Sequence, residues 1–156
     1  MISNDVLRRI RYTFDLSDSN MITVFGLTNY AVTREQICNW LKKDDDPTFE
    51  LCSDVTLATF LNGFIIEKRG KKDGPQPKPE SRITNNIVFM KLKIALNLKS
   101  DDVLLLVRQG GFHLSKHELS SFFRKPGHKN YRECKDQVLR YFLKGLQMRY
   151  RDSETI

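Results

Sequence analysis

The chain has 156 residues, of which 40% are hydrophobic and 29% charged, enough apolar content for a packed core rather than a disordered chain. No run approaches the roughly 18 consecutive apolar residues of a membrane span, and Met1 to Asp5 lack the basic-then-apolar pattern of a signal peptide, so the expectation is a cytoplasmic protein with no membrane partner. Three cysteines without C-x-x-C spacing argue against a disulfide framework and a structural zinc site, while a net charge of +7 and a pI near 9.4 favour an anionic partner, of which nucleic acid is the commonest.

In chain order, Val6, Leu7, Ile10 and Phe14 recur with helical period and predict a first amphipathic helix. Ser17-Asp18 is a start signal for a second, carrying Met21, Ile22 and Phe25. Thr33-Arg34-Glu35-Gln36 fits a capping box, in which a hydroxyl accepts the amide three residues on and the Gln side chain reaches back. Val32 and Ile37 supply the hydrophobic staple, and Ile37, Trp40 and Leu41 the buried stripe of that third helix. After the acidic loop Lys42 to Glu50, a fourth helix capped by Ser53 or Asp54 turns Leu57, Leu61, Phe64 and Ile65 inward. Gly70 to Arg82 then places Pro75, Pro77 and Pro79 at every second position, which forbids regular helix and predicts an extended linker.

Beyond the linker the pattern repeats. Shifted by 82 places, residues 4 to 65 lie on residues 86 to 147 without a gap: Asn4 on Asn86, Lys43 on Lys125, Cys52 on Cys134, and Phe60-Leu61-x-Gly63 on Phe142-Leu143-x-Gly145. Val88, Phe89, Leu92 and Leu96 repeat the first helix; Lys99-Ser100-Asp101 starts one carrying Val103, Leu104 and Val107. Ser115-Lys116-His117-Glu118 repeats the capping box, with Leu114 and Leu119 as its staple and Leu119, Phe122 and Phe123 as the stripe. Val138, Leu139, Phe142, Leu143 and Leu146 form the inward arc of the last helix. The predicted class is all-α: two tandem four-helix repeats, residues 1–69 and 83–156, joined by linker 70–82 and packed with pseudo-twofold symmetry.

The copies have diverged in charge. Residues 1–69 hold eight Lys and Arg against ten Asp and Glu, whereas residues 83–156 hold fourteen against seven. The excess concentrates between Arg124 and Arg151. Arg140, Lys144 and Arg151 share one face of the last helix, within about 40° at 100° per residue, and the preceding loop adds Arg124, Lys125, Lys129 and Arg132 with Tyr131, which offers a ring for stacking, and Gly127, which lets backbone approach a ligand.

Other chemistry is thinly signalled. Asp44-Asp45-Asp46 lacks EF-hand spacing, and His113, His117 and His128 with Cys134 lack zinc-ligand spacing. About five residues from Gly111 to Ser115 make too long a turn for a helix-turn-helix motif. Cys52 and Cys134 occupy equivalent places, which suits a shared structural role better than a nucleophile. The polar density from Lys125 to Gln137 has no partner motif.

Two segments, Asn4 to Tyr12 and the long run from Leu114 to Cys134, resemble the YehS-like family of small bacterial proteins, a domain of unknown function that occurs as two copies in one chain. The likeness runs from residue 3 to residue 151 and includes Lys68 to Gly74. It implies a bacterial, cytoplasmic, helical, duplicated protein and carries no established activity or binding residues. The expected function, read from the residues, is therefore a binding module rather than an enzyme, without cofactor or metal, whose basic second repeat takes RNA or DNA. The alternatives are a protein-interaction or self-associating module, pairing the acidic loop of one chain with the basic loop of another, and last a small-molecule enzyme using His128 to Gln137.

Overall fold

The computed structural model describes residues 1–155. It is all-α, two tandem four-helix repeats: α1 (Ser3–Thr13), α2 (Asp18–Gly26), α3 (Arg34–Leu41) and α4 (Asp54–Arg69), then α5 (Asn85–Ala95), α6 (Ser100–Gly110), α7 (Lys116–Phe122) and α8 (Asp136–Tyr150), closed by a 3-10 turn at Asp152–Thr155. No strand occurs among the described residues, and none of their helices is long and apolar enough to cross a membrane. The chain divides into two compact units, Met1–Ile83 and a second beginning at Thr84.

Side-chain caps set where most helices begin. The hydroxyls of Ser17, Thr33, Ser53, Thr84 and Ser115 each accept the amide three residues on, at 3.0 to 3.2 Å. Each such cap contributes about 1 kcal/mol. At α1 and α6 the capping residues are Ile2 and Lys99, which have no acceptor, and only the reciprocal half survives: Asp5 and Asp102 accept the Ile2 and Lys99 amides at 3.0 and 2.8 Å. The exits match as well. Asp15 and Asn97 both take left-handed backbone (φ 50° and 53°), as do Asn29 and Gly111 (φ 60° and 116°). Asp, Asn and Gly are the residues that tolerate this conformation best.

The two cores solve one packing problem with exchanged side chains. In the first unit Leu7 on α1 and Phe25 on α2 are fully buried; at the same places the second has Phe89 on α5 and Val107 on α6. Each phenylalanine meets the equivalent ring of the fourth helix, Phe25 on Phe60 at 5.1 Å and Phe89 on Phe142 at 4.2 Å. The large side chain has changed helix while the volume between helices is nearly conserved, the kind of exchange cores tolerate.

Glycines bring the second and fourth helices into backbone contact. A Cβ on Gly63 would stand 2.2 Å from the Val24 carbonyl oxygen, and one on Gly145 2.0 Å from that of Leu106. This crossing explains two departures from simple periodicity: Val24 and Leu106 are buried, while Ile22 and Leu104 are only half-buried. Phe14 and Leu96 are half-buried too, because α1 and α5 end one residue earlier and the buried positions fall to Thr13 and Ala95. On α4 every residue from Thr56 to Phe64 is buried, so the single inward stripe read from the sequence describes α8 and understates α4.

Candidate functional site

A buried asparagine organises the loop between the third and fourth helices in both units. Asn86, in the first turn of α5, donates from Nδ2 to the carbonyls of Phe122 (3.1 Å) and Arg132 (2.8 Å) and accepts the Cys134 amide on Oδ1 at 2.9 Å. Asn4 does the same to Trp40 (2.9 Å), Glu50 (2.8 Å) and Cys52 (2.9 Å). The amide's two donors and its oxygen are thus satisfied without water, which a buried amide requires. A backbone bond closes each neck further, Arg132 to Ser121 at 3.2 Å and Glu50 to Asn39 at 3.1 Å.

Within the necks the loops fold alike. Lys43 and Lys125 carbonyls accept the amides of Asp46 and His128, and Asp46 and His128 carbonyls accept those of Phe49 and Tyr131. The side chains of Asp46 and His128 then take the amide two residues on, Thr48 at 2.9 Å and Asn130 at 3.0 Å. Thr48 also donates its hydroxyl to Asp46, and this bond, foremost, with the Thr48 amide bond, holds the Asp46 carboxyl below its ordinary range. Lys42 bonds the same Thr48 hydroxyl. The turns differ at one point: Lys125-Pro126-Gly127-His128 has Pro second and a positive-φ Gly third, as a type II turn demands (φ 94°), whereas Asp44-Asp45 closes the first loop without positive φ. Gly127 is thereby accounted for by the turn, apart from any ligand. Tyr131 is half-buried, and so is Phe49 at the equivalent place. Loop shape therefore calls for a ring at this position whatever the charge.

The sequence-predicted basic residues fall into three groups. Arg124, Lys125, Lys129 and Arg132 are exposed on the loop, which leads into the start of α8. Arg140 and Lys144 are exposed on α8, about 6 and 12 Å along its axis from Asp136. Arg151 caps the far end about 22 Å from Asp136 and is half-buried, so it stands apart from the others. Among the described residues, Arg124, Lys125, Lys129, Arg132 and Lys144 make no ion pair.

Two aromatic residues that composition and periodicity did not single out belong beside this face. Phe112, just after α6, stacks on Tyr141 of α8 with ring centroids 5.4 Å apart and planes 19° from parallel, both residues half-buried. Gly110 allows the approach, since a Cβ there would lie 2.1 Å from the Tyr141 carbonyl oxygen. The signal was present on the helical wheel, where Tyr141 follows Arg140, but the counterpart of Tyr141 is Thr59 and the repeat gave it no emphasis.

The thiols take no part in this surface. Cys52 and Cys134 are buried; burial first, then the charges of Asp54 and Asp136 respectively, push them from an ordinary 9.0 up to about 12. At neutral pH they are protonated, small apolar groups. No group of three or more His, Cys, Asp or Glu side chains converges as a metal site would among the described residues.

A family model described as "Protein of unknown function (DUF1456)" matches the chain twice, over residues 3–70 and 85–152. The chain belongs to this family. Each DUF1456 segment spans one set of four helices, so the family's unit is the repeat. The chain is also 47% identical over 150 residues to "Uncharacterized protein YehS" of Escherichia coli (strain K12), covering 96% of each. No solved structure matches it.

Proposed function

We propose that the second DUF1456 repeat is a non-enzymatic binding surface for nucleic-acid phosphates, formed by Arg124, Lys125, Lys129 and Arg132 of the loop with Arg140 and Lys144 of α8. One observation carries the reading: the two loops share their neck bonds and turn closures while their charge reverses. The first loop sets Lys42 and Lys43 against three aspartates and Glu50; the second has four basic side chains and no carboxylate. A loop closed by the same bonds with either set of charges does not require the basic one, which supports an external anion as its use. Unpaired lysine and arginine on an exposed, fixed loop are suited to phosphate oxygens, and their counterion release makes binding salt-dependent.

Fluorescence anisotropy with labelled single-stranded RNA, duplex RNA and duplex DNA across a salt series tests this. Affinity is expected to fall steeply with salt, with a slope equivalent to several phosphate contacts, and Arg140→Glu with Lys144→Glu is expected to lower it at least tenfold. Absence of binding at low salt, or indifference to both salt and the charge reversal, rejects the proposal.

A second reading, a protein-interaction module, is supported by Leu51, which is 72% exposed beside the acidic loop. An isolated exposed leucine is ordinary, but one that follows Glu50 at the end of the acidic loop offers a basic, partly apolar partner both kinds of contact.

A further inference from the structure

We propose that the stacked Phe112–Tyr141 pair is a base-stacking platform, which makes the ligand of the basic surface single-stranded nucleic acid; this rests on the phosphate-binding reading of the same unit.

The pair does not belong to the core. Phe112 and Tyr141 are half-buried and keep part of their surface open to solvent, whereas the core rings Phe89 and Phe142 are fully covered. It is held from below by backbone: Gly111, in left-handed conformation, turns the chain so that Phe112 comes down on Tyr141, and a Cβ on Gly111 would touch the Tyr141 ring at 3.2 Å. Cations flank it. On α8, Tyr141 lies about 60° around the helix from Lys144 and about 100° from Arg140. On the α6 side the exposed Arg108 guanidinium donates to Nδ1 of His113 at 3.2 Å, which keeps a positive charge beside the residue that follows Phe112.

The first repeat folds with other side chains at these places, Ala58, Thr59 and Asn62 being buried where Arg140 and Lys144 are exposed and Tyr141 is half-buried. The first unit has Gly26, Ala31, Ala58, Thr59 and Asn62 where the second has Arg108, His113, Arg140, Tyr141 and Lys144. Only Phe112 has an aromatic counterpart, Tyr30, and that ring is spent internally, 5.5 Å from Phe25 with its hydroxyl 3.3 Å from that of Thr56. The second unit thus adds, together, an aromatic face and the cations around it. That combination is what an unpaired nucleotide requires: a π-face for its base and positive charge for its phosphates. A continuous duplex keeps its bases stacked on each other and presents no free face to the platform.

The test uses the full chain and three labelled probes of equal length: a single-stranded RNA, an abasic strand of the same charge, and an RNA duplex. The base-bearing strand is expected to bind roughly tenfold tighter than the abasic strand, as one stacked base confers. Phe112→Leu with Tyr141→Leu is expected to erase that difference while leaving abasic binding and its salt slope unchanged. Tyr141→Trp keeps a platform and is expected to retain the preference, with its fluorescence quenched by the base-bearing strand and not by the abasic one; Trp40 is buried and gives a constant background. Equal affinity for the two single strands, or a preference that survives the leucine variants, overturns the platform and leaves the phosphate reading standing. No binding of any probe at low salt overturns both.

Discussion

Asn86 illustrates how a single buried amide can fix a loop without dictating what the loop displays. Its three bonds reach two carbonyls and one amide, all main chain, so none of the loop's own side chains is recruited to hold the neck. The adjacent cysteine shows the energetic side of the same burial. A thiol whose folded pKa lies above its unfolded value favours the protonated form on folding. Its contribution is complete below pH 9 and is lost as pH rises from about 9 toward 12. Chemical denaturation between pH 8 and pH 11 is therefore expected to show stability declining above pH 9. Cys52→Ala with Cys134→Ala should flatten that alkaline limb; an unchanged slope would assign it to other groups.

At the scale of elements, the helix pairs α2 with α4 and α6 with α8 depend on glycine at the crossing. Gly145→Ala would force a methyl group to 2.0 Å from the Leu106 carbonyl oxygen, so the helices must separate. The expected loss is about 1–3 kcal/mol, the usual cost of overpacking, measured as a lowered denaturation midpoint with unchanged helical content. A neutral result would mean that the crossing yields without cost. These elements were largely legible in the sequence, since the same caps, stripes and Phe-Leu-x-Gly occur twice at a constant offset, and the segments Asn4 to Tyr12 and Leu114 to Cys134 carried the family resemblance that the DUF1456 match bears out. What escaped was set by tertiary contact. Val24 and Leu106 are buried because a glycine opposite admits them, and α4 is covered on all sides, which no one-helix pattern reveals. Of the basic residues, the wheel aligned Arg151 with Arg140 by angle alone, whereas rise along the axis carries it to the other end of α8. Phe112 and Tyr141 lie 29 positions apart, one in the turn after α6 and the other on α8, and meet where glycines let α6 and α8 approach.

For the molecule as a whole, duplication followed by charge divergence has produced two repeats of one fold, residues 1–69 carrying two more acidic than basic residues and residues 83–156 seven more basic than acidic. If the second reading holds, opposite loops on separate molecules attract, and association weakens as salt screens them. Sedimentation velocity at low and at physiological salt, over a wide range of protein concentration, is expected to show a salt-sensitive larger species on that reading. A monomer at every concentration removes self-association and leaves the basic surface for nucleic acid.

The asparagine pins carry a consequence for synthesis. Each spans 36 to 48 residues of sequence yet begins and ends within one repeat. Every partner of Asn4 has been translated by Cys52, before the proline-rich segment emerges, whereas Asn86 must wait for Cys134, 82 residues later. The acidic loop can therefore take shape on the ribosome well ahead of the basic one, and the cationic surface is fastened only after it.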